Sequence, residues 1–214
     1  MGLRYLEKKI CEPNNINNLN DSKNTLKFNI LRGEQNMNPC NNDNRTYEND
    51  LKLSTDIFER YIKEPLEKAL GGRIEGAETK KDAISKLLDE QCGIDYAIKD
   101  NKTGQVRGIA NRINVKPFPT FTIRYSKDSG VQTEYEKRRI AIYGCFYFPH
   151  WTVQEFVTDS VIKIAYIPTK VLYKYIEEHI NDEKCVGRGR TSNADFLWVF
   201  WDKVGAKVIT IDRT

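Results

Sequence analysis

Charged residues inside strand-like segments between residues 93 and 137 constrain the fold of this chain more than any other feature. Asp95 lies at the head of the first apolar segment, and Arg112 and Arg124 lie inside the next two. Burying a carboxylate and two guanidinium groups on one small sheet costs free energy unless the groups pair or bind something. The stretch therefore predicts either a binding site or a buried ion network.

The order of strand-like and helix-like segments predicts a mixed α/β or α+β fold with a central mixed sheet flanked by helices. Strands are predicted at residues 25–31, 93–98, 108–114, 121–125, 161–167, 196–201 and 207–211, and helices at 54–70, 80–89, 133–142 and 169–180. Residues 101–104 predict a hairpin turn. The aromatic stretch 143–151 is typical of a strand or of a packed loop.

The asparagine-rich beginning of the chain predicts two regions. Residues 1–53 are polar and favour turns, so we expect an N-terminal arm there and a single α/β domain over residues 54–214. Ser54, Thr55 and Asp56 offer N-cap oxygens for the first helix of the domain. Pro65 predicts a kink or an end in that helix.

Composition excludes several classes of protein and leaves the partner open. Apolar residues make up 39% of the 214 residues, and the net charge of +4 permits a nucleic-acid partner without requiring one. The five cysteines form no Cys-x-x-Cys pair, which argues against a zinc ribbon or a disulfide framework. No apolar run is long enough for a membrane span or a signal peptide. We expect a soluble cytoplasmic protein without membrane contact, and a homodimer is left open.

Two of the strand segments carry residues in a pattern known from nucleases. A segment with Asp95 at its head, followed by Gly108–Arg112 on a neighbouring strand, resembles the PD-(D/E)XK, or restriction-endonuclease-like, superfamily. The resemblance covers roughly residues 55–180 and includes a leading helix, a hairpin, a further strand, a helix, and a last strand and helix. It implies that fold and a metal-dependent DNA endonuclease that uses Mg²⁺ to hydrolyse phosphodiester bonds.

The resemblance also implies roles for individual residues. Asp95 would bind the metal, and Arg112 or Arg124 would steady the scissile phosphate. Ala110 stands where the family has an acid, so a second carboxylate has to come from elsewhere. Glu134 is the nearest candidate, and Lys137 on the same helix would position the water. Glu136, Glu59 and Glu64 are the other acids considered.

Other interpretations of the same residues remain open. The missing acid at Ala110 favours a non-catalytic module that kept a nuclease-like fold and binds nucleic acid or a protein. Asp95, Arg112 and Arg124 could also form a purely structural ion network. The asparagine-rich start is also consistent with a small interaction protein of a phage or mobile element.

Further basic and aromatic residues are candidates for nucleic-acid binding. Arg188 and Arg190 alternate with glycines in a predicted loop whose donors could wrap a phosphate, although an ordinary mobile loop has the same composition. Arg107, Lys116, Lys127 and Lys137 could extend a basic track. Trp198, Phe200 and Trp201 could stack on bases, but so apolar a run predicts core.

Overall fold

The computed structural model describes residues 47–76, 88, 92–114, 117–144, 146–191 and 193–213. Its helices are α1 (Tyr47–Ile57), a π-helical turn (Phe58–Ile62), α2 (Lys63–Leu70), α3 (Glu134–Tyr143) and α4 (Thr169–His179). Its strands are β1 (Gly72–Gly76), β2 (Tyr96–Asp100), β3 (Val106–Asn114), β4 (Thr120–Lys127), β5 (Trp151–Val157), β6 (Val161–Pro168), β7 (Gly187–Arg190), β8 (Ala194–Phe200) and β9 (Lys207–Asp212). The predicted strand at 25–31 and, apart from residue 88, the predicted helix at 80–89 lie outside the described residues.

The strands form two sheets, and the larger one is mixed. Six strands lie in the order β1-β2-β3-β5-β6-β9, and the smaller sheet has the order β4-β8-β7. Only the β3–β5 pair of the larger sheet is parallel, because β4 and α3 carry the chain across between these two strands. The predicted mixed α/β or α+β class with a mixed sheet is therefore confirmed.

The first described helix begins before the position that the N-cap residues predicted. Ser54, Thr55 and Asp56 lie inside α1, which starts at Tyr47 and so crosses the predicted boundary between arm and domain. No proline or glycine lies between Tyr47 and Glu64, and burial of the apolar residues that follow stabilises a continuous helix. The capping prediction at this point was wrong.

Pro65 is accommodated by the π-helical turn instead of ending the helix. The Lys63 N–H donates to the Phe58 carbonyl, a step of five residues, and α2 starts immediately after this turn. Pro65 consequently lies in the first turn of α2, where a missing N–H is tolerated. The helix ends at Gly71 with φ +71°, the left-handed conformation that glycine adopts readily.

Helices cover both faces of the larger sheet. The leading helix packs on one face, where the Phe58 and Tyr96 rings stack with centroids 3.8 Å apart. On the opposite face, Phe156 and Ile167 join a core that contains Leu172 of α4. The same core takes the inward residues of the smaller sheet, which are Phe121, Ile123, Leu197 and Val199.

Three strands were missed or misassigned from the sequence. β1 lies between two glycines, and β5 begins at Trp151, where the predicted aromatic segment ended. Residues 187–190, predicted as a loop, form β7 and pair with β8 in antiparallel register. The hairpin at 101–104 is confirmed, since the Asp100 carboxylate accepts the N–H groups of Lys102 at 2.9 Å and Thr103 at 2.8 Å.

Candidate functional site

A cavity of about 340 Å³ is lined by four of the predicted site residues, Asp95, Arg112, Arg124 and Glu134. Residues on β3, β4, β5 and α3 form its walls. Its lining includes Asp95, Ala110, Arg112, Thr122, Arg124, Glu134, Arg138 and Gln154. The alternation along β3 places Ala110 and Arg112 on one face of the sheet, and β4 and α3 bring Arg124 and Glu134 to the same cavity. We call this cavity the arginine pocket.

Glu134 holds two of the three arginines in the pocket. Its Oε2 lies 2.7 Å from Nη2 of Arg112, and its Oε1 lies 2.7 Å from Nη1 of Arg138. Arg112 also donates to the Thr122 carbonyl at 2.6 Å, which fixes the guanidinium against β4. The side chain of Glu134 is only 19% exposed. Burial alone would raise the pKa of Glu134, but the two guanidinium groups together lower it below its ordinary value.

The beginning of α3 explains why Glu134 is so well placed. Thr133 accepts the Glu136 N–H, and the Glu136 carboxylate accepts the Thr133 N–H at 2.9 Å, which completes a capping box. Glu134 therefore lies in the first turn, at the positive end of the helix. Arg138 follows four residues later on the same face, so the Glu134–Arg138 pair is built into the helix itself.

Asp95 lies immediately before β2, beside the point where β3 crosses the pocket. Its Oδ2 accepts the Asn111 N–H at 2.5 Å, and its own N–H donates to the Ile109 carbonyl at 2.9 Å. Burial lowers the pKa of Arg138, but the Glu134 carboxylate, with smaller contributions that include Asp95, raises it above its ordinary value. Asp95 thus belongs to the electrostatic network that surrounds the pocket.

Glu155 is a buried acid that the sequence reasoning missed. It is fully buried on β5, and its Oε1 accepts the Asn111 side-chain N–H at 3.0 Å. Its Oε2 has no hydrogen-bond partner in the part of the chain that the structure describes. Burial, with a further contribution from the Asp95 carboxylate, raises the pKa of Glu155 to about 8, against the opposing effect of the Asn111 hydrogen bond. The sequence signal that could have identified Glu155 is an acidic residue between Gln154 and Phe156 in a segment whose other positions are mostly apolar.

Arg124 differs from the other two arginines of the pocket. Within the described ranges it makes no ion pair, its Nε is buried without a hydrogen-bond partner, and its guanidinium lies 5.7 Å from the ring centroid of Phe196. Its side chain also lines a second cavity of about 180 Å³, together with Lys127, Glu134, Lys137 and Arg138. Arg124 and Arg138 both line the two cavities, and of these two arginines only Arg124 has no carboxylate partner among the described residues.

The predicted basic residues outside the pocket have different surroundings. Arg190 is paired with Asp128 and Asp195, each at 2.9 Å, and Arg188 lies over the Tyr125 ring and donates to the Ile180 carbonyl. Arg107 donates to Gln105 at 3.1 Å and lines neither of the two cavities around Arg124. Lys116 lies outside the described residues.

The predicted metal ligands Asp95 and Glu134 do not fit a magnesium site as a pair. Both oxygens of Glu134 already contact guanidinium groups, and a divalent cation would have to displace them. Among the residues that the structure describes, no three His, Cys, Asp or Glu side chains come together in a group that could hold a metal ion.

Comparison with protein-family models, curated proteins and solved structures found no match for this chain. Within the described ranges, no helix combines the length and the apolar character that crossing a membrane requires.

Proposed function

We propose that this protein binds the phosphate backbone of nucleic acid in the arginine pocket, as a non-catalytic module with a nuclease-like fold. The observation that carries the proposal is Arg124, which lines both cavities and has no carboxylate partner among the described residues. The lining of the two cavities has five cationic side chains, those of Arg112, Arg124, Lys127, Lys137 and Arg138, against two carboxylates, Asp95 and Glu134. Among the groups of a nucleic-acid ligand, the phosphate diester is the anion that such an excess of cationic side chains favours.

The chain topology supports the nuclease-like part of the proposal. A leading helix, the β2–β3 hairpin, the further strand β4, the helix α3, and the later pair β6 and α4 follow in the order that the resemblance implies, and β4 belongs to the smaller sheet. Two features favour binding without cleavage. Ala110 supplies no carboxylate at the position of the family's acid, and Glu134 is occupied by Arg112 and Arg138.

Replacing Arg124 with Gln should weaken nucleic-acid binding because it removes the unpaired cation and keeps most of the side-chain volume. We expect the log–log dependence of the association constant on salt to flatten by about 0.9 for duplex DNA, the slope of one phosphate contact. Fluorescence anisotropy titrations of a labelled 20-mer DNA duplex at several salt concentrations measure this slope.

The matched control for this experiment is Arg139→Gln. Arg139 lies on α3 near the pocket residues but pairs with Glu177 at 3.8 Å and is 57% exposed. Its replacement should leave the salt slope unchanged. Equal slopes and affinities for wild type and Arg124→Gln would contradict the proposal.

Metal-dependent cleavage is a second candidate, and Glu155 is the specific observation that favours it. Asn111 joins the two acids, because its backbone N–H bonds Asp95 and its side chain bonds Glu155. Asp95 and Glu155 would supply the hard oxygen ligands that Mg²⁺ prefers. A bound Mg²⁺ would supply an activated water and charge stabilisation at the phosphorus. The raised pKa of Glu155 means that the metal would have to replace a proton there.

Under this second candidate, Mn²⁺ or Mg²⁺ should raise the melting temperature, and more at pH 8.5 than at pH 6. Asp95→Asn should abolish that increase and any metal-dependent nicking of plasmid DNA. Asp56→Asn, on the exposed side of α1, is the control and should retain the wild-type response. If the wild type shows neither a metal-dependent shift nor cleavage of single-stranded, duplex or branched DNA, this candidate is wrong and the binding proposal is unaffected.

A further inference from the structure

The smaller sheet presents a row of aromatic rings on the side away from the core. Leu197 and Val199 of β8 are buried in the core, at 1% and 0% exposure. Because side chains alternate along a strand, Phe196, Trp198 and Phe200 lie on the opposite face. The prediction that Trp198 and Phe200 belong to the core was wrong, whereas Trp201, which follows the strand, is buried at 3%.

Among the described residues, the pairing with β7 leaves Phe196 and Trp198 partly exposed. Trp198 is paired with Gly187 and Phe196 with Gly189, so β7 contributes no side chain at either position. The Trp198 ring lies over Gly187 so closely that a Cβ there would meet the indole at 2.0 Å. The Trp198 and Phe200 rings meet edge to face at 5.3 Å, and Phe200 is 38% exposed. We call this surface, formed by Phe196, Trp198 and Phe200, the aromatic face.

The aromatic face is continuous with the arginine pocket. On β4, Thr122 pairs with Trp198 and Arg124 pairs with Phe196, and both of these β4 residues also line the pocket. The Arg124 guanidinium lies over the Phe196 ring, so a single residue belongs to both surfaces. A charged group next to the part of a ligand that contacts the rings would therefore lie beside Arg124, which has no carboxylate partner among the described residues.

We infer that the aromatic face stacks on unpaired bases of a single nucleic-acid strand while an adjacent phosphate occupies the arginine pocket. This inference rests on the proposed function and assigns its ligand class. Every base offers a π-face, so aromatic stacking tolerates any sequence, and a neighbouring guanidinium group holds the backbone. The bases of an intact duplex are stacked on each other and cannot reach these rings. The charge of the shared pocket selects nucleic acid over an apolar protein segment as the occupant.

An abasic oligonucleotide separates base stacking from phosphate binding, because it keeps the charge and length of the strand and removes the bases. Anisotropy titrations should compare a labelled dT 12-mer with the abasic 12-mer. We expect the wild type to bind the base-containing strand about tenfold more tightly, the effect of roughly one stacked base. Trp198→Leu should remove that preference and leave affinity for the abasic strand unchanged.

Two further variants test whether a loss of preference reflects stacking. Trp198→Phe keeps an aromatic ring and should keep the preference, while it loses the quenching of tryptophan fluorescence that stacking produces. Tyr147→Ala removes a 75% exposed aromatic residue outside the aromatic face and should behave as wild type. Circular dichroism melting of each variant identifies any that fail to fold.

The possible outcomes separate this inference from the proposed function. Equal wild-type affinity for the two strands would overturn the inference and leave phosphate binding intact. Absence of binding to both strands and to duplex DNA would overturn both. If Trp198→Leu keeps the preference for the base-containing strand but differs from the wild type in molecular mass by light scattering, the aromatic face contacts a second copy of the chain. The inference would then be wrong.

Discussion

Replacing Glu134 with Gln is expected to lower the free energy of unfolding by about 3 kcal/mol. The change removes the only carboxylate that contacts Arg112 and Arg138 within 4.0 Å among the described residues, and Arg138 is only 9% exposed. Breaking a buried pair usually costs about 3–5 kcal/mol, because the remaining charge is left desolvated without its partner. The 34% exposure of Arg112 places the expected value at the lower end of that range. Thermal melting should show a decrease of several degrees, since each kcal/mol shifts a chain of this size by about 2–4 °C.

The Glu64–Lys68 pair is the matched control, since it has the same 2.7 Å distance but both side chains are 76% exposed. Glu64→Gln should leave the melting temperature unchanged within the error of the measurement, because solvent screens such a pair. The pKa of Glu134 is lowered in the folded state, so its contribution is present above its ordinary pKa and is lost as the pH falls through the folded value. The difference between wild type and Glu134→Gln should therefore narrow in acid. Two equally stable proteins at pH 7 would show that the network contributes little to folding.

The helices and apolar strands could be predicted because their signals are local. Thr133 and Glu136 define the start of α3 within four residues of sequence, and β6 is a nearly continuous apolar run. The beginning of α1 could not be placed from capping residues, since the capping oxygens at 54–56 are outweighed by burial further along the same helix. A local preference of about 1 kcal/mol decides a boundary only where tertiary packing does not.

The strands β5 and β7 were missed because their residues do not have the composition that predicts a buried strand. β5 carries Thr152, Gln154 and Glu155 among its buried residues, so its burial cannot be recognised from hydrophobicity. Gln154 and Thr152 find partners on other elements, since Gln154 accepts the Thr122 N–H at 2.6 Å and the Thr152 hydroxyl bonds that of Thr169 at 2.9 Å. β7 has two glycines in four residues and is held by its pairing with β8. β5 therefore depends on β3, which is distant in sequence, whereas β7 pairs with the next strand along the chain and was missed because of its glycines.

The part of the candidate site that depends on local spacing could be predicted from the sequence. Period-two alternation placed Ala110 and Arg112 on one face, whereas Arg138, which helical spacing puts beside Glu134, was not predicted as a site residue. The Arg112–Glu134 contact and the position of Arg124 between two cavities depend on the crossover from β3 through β4 to α3. The outward direction of Trp198 was not predicted, because an apolar run such as residues 196–201 is also typical of a strand that is buried on both faces.

Wild-type stability is expected to fall between pH 5 and pH 8 by more than that of Glu155→Gln. The pKa of Glu155 is raised to about 8 in the folded protein from an ordinary value of 4.5, chiefly by burial. Between these two values the folded state holds a proton that the unfolded state has released. Stability from this group is therefore complete below the ordinary pKa and is lost as the pH rises to about 8. The slope for one proton is at most about 1.4 kcal/mol per pH unit.

Glu155→Gln separates this effect from every other titration, since Gln keeps an oxygen for the Asn111 N–H and cannot ionise. The two proteins should be similarly stable at pH 5, and the variant should be more stable at pH 8 by roughly 4 kcal/mol or less. Urea unfolding at five pH values measures the difference. Asp95→Asn offers a second measurement, because it removes a carboxylate that helps to raise the pKa of Glu155. In this variant the loss of stability with rising pH should be complete at a lower pH than in the wild type. Parallel pH profiles for wild type and Glu155→Gln would mean that Glu155 is ionised in the folded protein at neutral pH. A cation or a water would then have to satisfy its second oxygen, which would strengthen the metal-dependent candidate over the binding module.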